Sequence, residues 1–289
     1  MTSSRPARRF DWHNLAVRAA SAIVLITGVI AVIWQSNNHP VGDAAFLIML
    51  SLAVGVLALE WAGMSAPRAL RPVAAVIIAA VLVCLYLPSV RSETWAWPAA
   101  WLCMVFGSAV AALVAGQLRE RPADAAFGVV YIAAPILALA WLHASRNPIS
   151  WIILLFAVTW SADICAFLLG NLLKGPKIWP RYSPNKTWAG FVGGLVGAVL
   201  GALAVVWVTS HFHGAQLSVG FAASVGLAGG LATMAGDLWE SVLKRRYGVK
   251  DSGDLIPGHG GLLDRVDGLM FAALAVAGAW LIHQIGWAQ

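Results

Sequence analysis

The chain has 289 residues, of which 60% are hydrophobic and 11% charged, and its mean hydropathy is +0.77. Ordinary soluble domains contain roughly 45–50% apolar and about 25% charged residues, so a soluble globular protein is excluded. The net charge of +6 does not indicate nucleic-acid binding, because the basic residues lie in short connections between apolar blocks, where the positive-inside rule places them. Cys84, Cys103 and Cys165 lie inside apolar blocks and form neither a metal-binding spacing nor a disulfide framework.

Nine apolar segments reach or approach the roughly 20 residues that a membrane-spanning helix needs. They lie at 15–34, 44–63, 72–89, 95–116, 126–143, 149–170, 187–210, 217–237 and 268–286. No small-residue cleavage site accompanies the first segment, which indicates a membrane helix rather than a removed signal peptide. The sequence therefore predicts an all-α, polytopic integral membrane protein with about nine transmembrane helices.

The basic residues also predict the orientation of these helices. If the N-terminus is cytoplasmic, every Lys and Arg except Arg91 and Arg146 falls on the cytoplasmic side. A missed or invented helix would break this alternation. We therefore expect a cytoplasmic N-terminus and a C-terminus on the outside.

The two halves of the chain differ in polarity. Residues 1–148 hold few polar side chains and are predicted to form five structural, lipid-facing helices. Residues 149–289 are predicted to be catalytic, with cytoplasmic loops at 171–186 and 238–267. In the first half Glu60 is the exception, and we expect it to be a snorkelling or loop-facing acid at the end of the second segment.

Asp163 and the loop that follows it form the first candidate site. A carboxylate in the middle of segment 149–170 is costly unless it faces a polar cavity or a partner. In the loop, Ser183 followed by Pro184 predicts a helix N-cap with proline at the first helical position. Lys186 would then lie in the first helical turn, where free N–H groups and a positive dipole end suit a phosphate. The alternative is a basic loop with a well-made cap and no ligand.

Glycines recur at four-residue spacing in the next two segments. Gly190, Gly194, Gly197 and Gly201 lie in the first of these segments, and Gly226 and Gly230 lie in the second. Small residues at this spacing let membrane helices approach closely. The pattern predicts tight packing of these two helices, and the same faces allow a homodimer.

The most highly charged stretch of the chain is 236–267. If the preceding helix continues into the cytoplasm, one helical face carries Asp237, Glu240, Ser241, Lys244 and Arg245. An ordinary i, i+4 salt bridge explains Glu240 and Lys244, but it does not explain Asp237 at the membrane end. A glycine-rich loop follows, with Lys250, Asp251 and His259, and the last helix opens with Asp264, Arg265 and Asp267.

These residue types favour a magnesium and nucleotide site at the cytoplasmic membrane face. Oxygen ligands without a cysteine or histidine pair suit Mg²⁺ rather than zinc. Mg²⁺ in proteins is commonly bound by one or two carboxylates together with substrate phosphates, and the neighbouring Lys and Arg suit a polyphosphate. Acids in a first helical turn are also favoured by the helix dipole alone. His259 is open to two interpretations, a proton carrier or a residue that holds the loop backbone.

The run from Ser241 to Asp267, S-V-L-K-R-x4-K-D-S-G-x2-I-P-G-H-G-G-L-L-D-R-V-D, resembles the signature of the phosphatidate cytidylyltransferase (CDP-diacylglycerol synthase) family. The segment from Asp163 through S-P-N-K-T-W is also similar to that family. One departure is Ala189, where many relatives carry an acid. The resemblance implies a nucleotidyltransferase of phospholipid biosynthesis that converts CTP and phosphatidate to CDP-diacylglycerol and pyrophosphate.

For this reaction we expect Asp237 and Asp264 to bind Mg²⁺, with Asp267 as a third ligand or a group behind them. A second, monovalent cation is left open. Phosphate groups would be held by Lys244, Arg245, Lys250, Arg265, Lys186 and Ser183, with Asp163 supporting the substrate site. Ser241, Asp251 and His259 would orient substrate or shape the loop. The expected partners are CTP, phosphatidate and the lipid bilayer, and the expected location is the inner membrane of a bacterial cell with the site on the cytoplasmic side.

Three other activities fit the sequence less well. An ion-coupled carrier predicts polar residues on both sides of the membrane midplane, whereas here they concentrate on the cytoplasmic side. A CTP-using polyprenol kinase does not account for the full histidine-diglycine-D-R-x-D run. The CDP-alcohol phosphotransferases are excluded because their D-G-x2-A-R core is absent from the sequence.

Overall fold

The computed structural model describes residues 28, 31–32, 40–90, 95–145, 148–213, 217–253 and 260–286. Its elements are eight long helices, a short 3-10 turn at Pro67–Ala69 and one antiparallel hairpin. The helices are α1 (Pro40–Ser65), α2 (Leu70–Val90), α3 (Ala96–Gln117), α4 (Pro122–His143), α5 (Pro148–Leu173), α6 (Trp188–His213), α7 (Val219–Tyr247) and α8 (Leu263–Gln284). The hairpin, β1 (Lys177–Trp179) and β2 (Ser183–Thr187), connects α5 to α6.

All eight of these helices are long and apolar enough to cross a membrane. They match the last eight of the nine predicted segments, so the all-α polytopic fold is confirmed for the part of the chain that the structure describes. The first predicted segment, 15–34, lies almost entirely outside the described residues. The sidedness of the termini stays a prediction.

Helix α6 packs tightly between α5 and α7 because its glycines admit neighbouring backbone. A Cβ atom at Gly197 would lie 2.5 Å from the Ser161 carbonyl oxygen of α5. On the other side, a Cβ atom at Gly226 of α7 would lie 2.9 Å from the Ala198 carbonyl oxygen of α6. The predicted contact between α6 and α7 is therefore confirmed, and α5 joins it. Since these glycines serve contacts within one chain, they no longer support the homodimer that the sequence allowed.

Aromatic and charged contacts join the N-terminal helices to α7. Trp61 of α1 packs against Tyr131 of α4 and Tyr247 of α7, with ring centroids 5.3 and 5.8 Å apart. Its indole N–H donates to the Asp124 carbonyl oxygen at 3.0 Å. The Asp124 side chain, 3% exposed, accepts a hydrogen bond from Arg246 at 2.7 Å. The two halves of the sequence therefore share one core.

The hairpin corrects the expectation for Ser183. Ser183 is not a helix N-cap but a buried residue of strand β2, paired with Trp179. Helix α6 begins five residues later, at Trp188, and its cap is Thr187, whose hydroxyl accepts a hydrogen bond from the Gly190 amide at 3.1 Å. Proline is tolerated in this short strand because an edge strand has unpaired positions.

We predict that Gly197→Ala destabilises the protein, because the added methyl group meets the α5 backbone. The expected loss is about 1–3 kcal/mol, as for overpacking of a filled core. Chemical unfolding in detergent measures it. The matched control is Gly278→Ala on α8, where an added Cβ meets nothing within 4 Å and helix propensity favours alanine. Equal effects of the two substitutions would contradict this account of the helix contact.

Candidate active site

Helices α7 and α8 bring the candidate site together through direct backbone contact. A methyl group at Gly236 of α7 would overlap the Asp267 carbonyl oxygen of α8, and one at Gly268 would lie 2.8 Å from the Thr233 side chain. Helix α7 continues to Tyr247, as predicted if residues 237–245 share one charged helical face, and it ends at Gly248, which has a φ of 75°. That left-handed conformation suits glycine because it has no Cβ.

An ion pair between Lys186 and Asp237 lies at one end of the site. The Lys186 side chain comes from strand β2 and contacts the Asp237 carboxylate of α7. Asp163 of α5 lies within electrostatic range of both residues. Three elements that are distant in sequence therefore contribute to one charged group. This arrangement places Lys186 differently from the first helical turn that the sequence suggested.

A second lysine, Lys244, binds two carboxylates at the other end of the site. Its ammonium group donates to Glu240 at 3.1 Å and to Asp264 at 2.7 Å. The Glu240 side chain is 2% exposed and the Asp264 side chain 10% exposed. Because buried carboxylates need a counter-charge, this lysine is required by the fold.

Asp267 lies between the two ends. It interacts electrostatically with Asp237 on one side and adjoins the Glu240 side chain on the other. The connected group thus contains five carboxyl groups, those of Asp163, Asp237, Glu240, Asp264 and Asp267, and two lysines. One oxygen of Glu240, Oε1, is buried without a hydrogen-bond partner among the described residues. The excess of acids over lysines makes the cluster attractive to a cation.

Asp264 also fixes the loop between α7 and α8. Its Oδ2 atom accepts hydrogen bonds from the backbone N–H groups of Ser252 and Gly261, both at 3.0 Å. Its Oδ1 atom accepts the hydrogen bond from Lys244. Both oxygens of Asp264 are therefore engaged within the protein.

The remaining predicted site residues lie around this cluster. The Ser241 hydroxyl donates to the Asp237 carbonyl oxygen at 3.0 Å, within α7. Four side chains are exposed on α7, the following turn and the start of α8: Arg245, Lys250, Asp251 and Arg265. Ser183 is buried in the hairpin. His259 lies outside the described residues.

The donor set fits a magnesium site of few protein ligands. In the described part of the chain, no group of three or more His, Cys, Asp or Glu side chains is arranged to hold a metal ion. The three predicted ligands, Asp237, Asp264 and Asp267, are thus not assembled as a set. Mg²⁺ characteristically keeps water and substrate phosphates and takes one or two carboxylates from the protein. The neighbouring pair Asp237 and Asp267 meets that requirement, whereas Asp264 is already committed to Lys244 and the loop.

An apolar cavity of about 330 Å³ opens between α4, α7 and α8. Its lining residues are Phe127, Val130, Tyr131, Ala134, Pro135, Trp239, Met270, Phe271 and Leu274. Tyr131 also interacts electrostatically with Glu240 and Asp267, so the cavity adjoins the charged cluster. Charged and apolar surfaces therefore meet at one place.

The structure refines the expectations for two acids of this region. Glu240 forms the expected i, i+4 salt bridge with Lys244 at 3.1 Å, but it is buried in the centre of the site rather than on the surface. Glu60 faces the loop before α8, one of the two expected positions, but it does not snorkel: it is only 7% exposed and accepts hydrogen bonds from the backbone N–H groups of Leu262 and Leu263, both at 2.8 Å. The sequence did contain a signal for this role of Glu60, namely its position in an apolar segment, since an acid in such a segment is by default a functional candidate.

Comparison with known proteins identifies relatives over most of the chain. Residues 16–282 match the model of the cytidylyltransferase family. A protein of Brucella suis biovar 1 (strain 1330) named phosphatidate cytidylyltransferase is 37% identical over 266 residues, which cover 90% of this chain and 91% of the relative. A Staphylococcus aureus (strain COL) protein of the same name is 38% identical over 149 residues, 51% of this chain and 56% of that protein.

We predict that Lys244→Met destabilises the protein by roughly 3–5 kcal/mol, because it leaves the buried Glu240 and Asp264 carboxyl groups without their cation. Adding Glu240→Gln should recover part of that loss, giving a coupling of about 1 kcal/mol or more in a double-mutant cycle. Chemical unfolding in detergent measures all the variants. Lys174→Met, at an exposed position, is the control. Strict additivity of the two substitutions would contradict the buried pair.

Proposed function

Because the chain belongs to the cytidylyltransferase family, we propose that it is a phosphatidate cytidylyltransferase, which forms CDP-diacylglycerol and pyrophosphate from CTP and phosphatidate. The observation that carries this proposal is the cluster of acids and lysines on α5, β2, α7 and α8 beside an apolar cavity. The triphosphate of CTP and the headgroup of phosphatidate require a charged surface, and the acyl chains of phosphatidate require an apolar surface next to it. Relatives with this name cover almost the entire chain.

The reaction does not need a strong general base. A phosphate monoester has a second pKa near 6, so phosphatidate is largely dianionic at neutral pH. One of its phosphate oxygens attacks the α-phosphorus of CTP, and the bond to the β-phosphate breaks to release pyrophosphate. The enzyme must therefore align the two phosphates and neutralise their charge.

The lysines and arginines of the site provide that charge. Lys186 and Lys244 are held by carboxylates in the structure, and each is positioned to exchange a carboxylate partner for a phosphate oxygen. Arg245, Lys250 and Arg265 are exposed around the cluster and would hold the outer phosphates of CTP. Arginine binds phosphate through two parallel hydrogen bonds, whereas lysine acts as a point charge.

Asp237 and Asp267 would hold Mg²⁺. When bound, Mg²⁺ would neutralise the triphosphate and stabilise the charge that develops on the leaving pyrophosphate. Asp163 would hold Lys186 and Asp237 in place, and Asp264 would fix the loop that follows α7. Ser183, Ser241, Asp251 and His259 would shape the surroundings of the substrate. The participation of a second, monovalent cation is left open.

The apolar cavity would hold an acyl chain of phosphatidate. It has no polar surface, and its neighbour Tyr131 lies near Glu240 and Asp267. A lipid whose headgroup reached the cluster would therefore place its chain beside α4. This assigns α4, in the N-terminal half of the chain, to substrate binding.

The membrane location follows from the eight spanning helices. CTP is a cytoplasmic metabolite, so the site must face the cytoplasm, in agreement with the distribution of Lys and Arg. For a bacterial protein of this kind, the membrane would be the inner membrane.

The decisive test is pyrophosphate release by purified protein given CTP, phosphatidate and Mg²⁺. Release that requires all three, with CDP-diacylglycerol formed in equal amount, is expected. Asp267→Asn should lower kcat by about 100-fold or more, the loss of roughly 2.7 kcal/mol of transition-state stabilisation. The control is Asp43→Asn on the first turn of α1, which pairs with His143 and should keep the wild-type rate. Turnover of other lipid or nucleotide pairs alone would contradict the assignment.

For the cavity, we predict that Ala134→Phe raises the KM for long-chain phosphatidate at least fivefold and leaves the KM for CTP within twofold of wild type. The larger side chain fills space that the acyl chain needs. Ala109→Phe, on the exposed face of α3, is the matched control and should behave as wild type. Equal changes in both KM values would show that the cavity does not bind the lipid chain.

A further inference from the structure

Glu60 links the N-terminal helices to the start of α8. It lies near the end of α1 and is 7% exposed. Its Oε1 atom accepts a hydrogen bond from the Leu262 amide, and its Oε2 atom accepts one from the Leu263 amide, both at 2.8 Å. The Ser252 hydroxyl donates to Oε2 at 3.3 Å. One carboxylate therefore joins three positions that lie about 200 residues later in the chain.

The two amides that Glu60 binds are those at the first turn of α8. Such N–H groups have no partner inside their own helix, and a carboxylate is favoured there by hydrogen bonding and by the helix dipole. Helix α8 has no side-chain cap of its own at Leu262. Glu60 therefore takes the place of an N-cap, and it does so from another helix.

The loop is shaped around this carboxylate. A Cβ atom at Gly261 would lie 2.8 Å from Glu60 Oε2, and one at Gly253 would lie 3.1 Å from its Cγ atom. The same Gly261 donates its backbone N–H to Asp264. Glu60 and Asp264 thus both bind the loop, and Ser252 contacts each of them.

The amides that Glu60 binds lie next to the acids of the site on α8. Asp264 is the residue immediately after the Glu60-bound Leu263, and Asp267 follows one turn later on the same helix. Any rotation or shift in the first turn of α8 would move both carboxylates relative to Lys244 and Asp237. A misplacement of about 1 Å is enough to cost on the order of 100-fold in rate.

We propose that Glu60 is a positioning residue for cytidylyl transfer: it holds the start of α8 so that Asp264 and Asp267 keep their places beside Lys244 and Asp237. This inference rests on the proposed function of the site. It assigns a role in catalysis to a helix that the sequence indicated as structural and lipid-facing.

Three variants of the full-length protein test the proposal. Glu60→Gln keeps the size of the side chain but presents an N–H₂ group to a backbone donor, and Glu60→Asp keeps the charge but withdraws the carboxylate. Glu120→Gln is the matched control, since Glu120 also accepts a backbone hydrogen bond, from Arg68 at 3.1 Å, outside the site. Hydrogen–deuterium exchange without substrate reports on the Leu262 and Leu263 amides, and steady-state kinetics report on turnover.

For Glu60→Gln we expect at least tenfold faster exchange at Leu262 and Leu263, about tenfold or greater loss of kcat, and a severalfold higher Mg²⁺ concentration for half-maximal rate. The KM for phosphatidate should stay within twofold of wild type. Glu60→Asp should lie between wild type and Glu60→Gln, and Glu120→Gln should match wild type in every measurement. The Mg²⁺ dependence separates positioning from a general loss of stability, which would not change it.

Wild-type kinetics together with faster exchange would overturn the proposal, since the contact would then serve the fold alone. Wild-type exchange would overturn it as well. If Glu60→Gln does not fold, Gly261→Ala disturbs the same contact from the loop side and should give the same changes. Failure of both to fold, with Glu120→Gln folded, would establish a purely structural role. If the wild-type protein shows no cytidylyl transfer, the exchange data still decide whether Glu60 holds α8.

Discussion

Backbone contact between α7 and α8 at Gly236 and Gly268 is the constraint on which the site depends. Without side chains at these points, the two helices come close enough to set Asp237 beside Asp267 and Glu240 beside Asp264. Carboxyl groups at such distances repel one another. Lys186 and Lys244 offset part of that repulsion from two different elements, and the remaining negative charge favours a bound cation. The geometry that creates the site thus also gives it the negative charge that the proposed Mg²⁺ would neutralise.

The N-terminal helices form part of this arrangement through their contacts with α7 and α8. Glu60 supplies the hydrogen-bond acceptors that α8 lacks at its first turn, and Asp124 holds Arg246 at the end of α7. Trp61, next to Glu60, packs against aromatic rings of α4 and α7. The two parts of the chain divided at residue 148 therefore differ in polarity but share one core.

The location of the site suits a reaction between a water-soluble and a membrane-bound substrate. The charged cluster extends from Asp163 within α5 to the start of α8, with exposed arginines and lysines around it, while the apolar cavity lies between α4, α7 and α8. In the proposed reaction, the headgroup of the lipid would bind at the cluster while its chain stays in apolar surroundings. Removal of the phosphates from water would strengthen their attraction to Lys186 and Lys244.

The sequence by itself determined the eight described membrane helices, the extension of α7 into the charged stretch and most of the charged residues that are proposed for the site. These follow from composition and from helical periodicity, which are local properties. Only the tertiary structure decided which charges meet. The partners of Glu60 lie 202 and 203 residues away, and no local pattern encodes such a distance. The strand at Ser183 could not be predicted locally either, because its pairing with β1 outweighs the local preference of Ser183 and Pro184 for a helix cap. The proposed division of the acids between metal binding and loop fixation depends on the same long-range contacts.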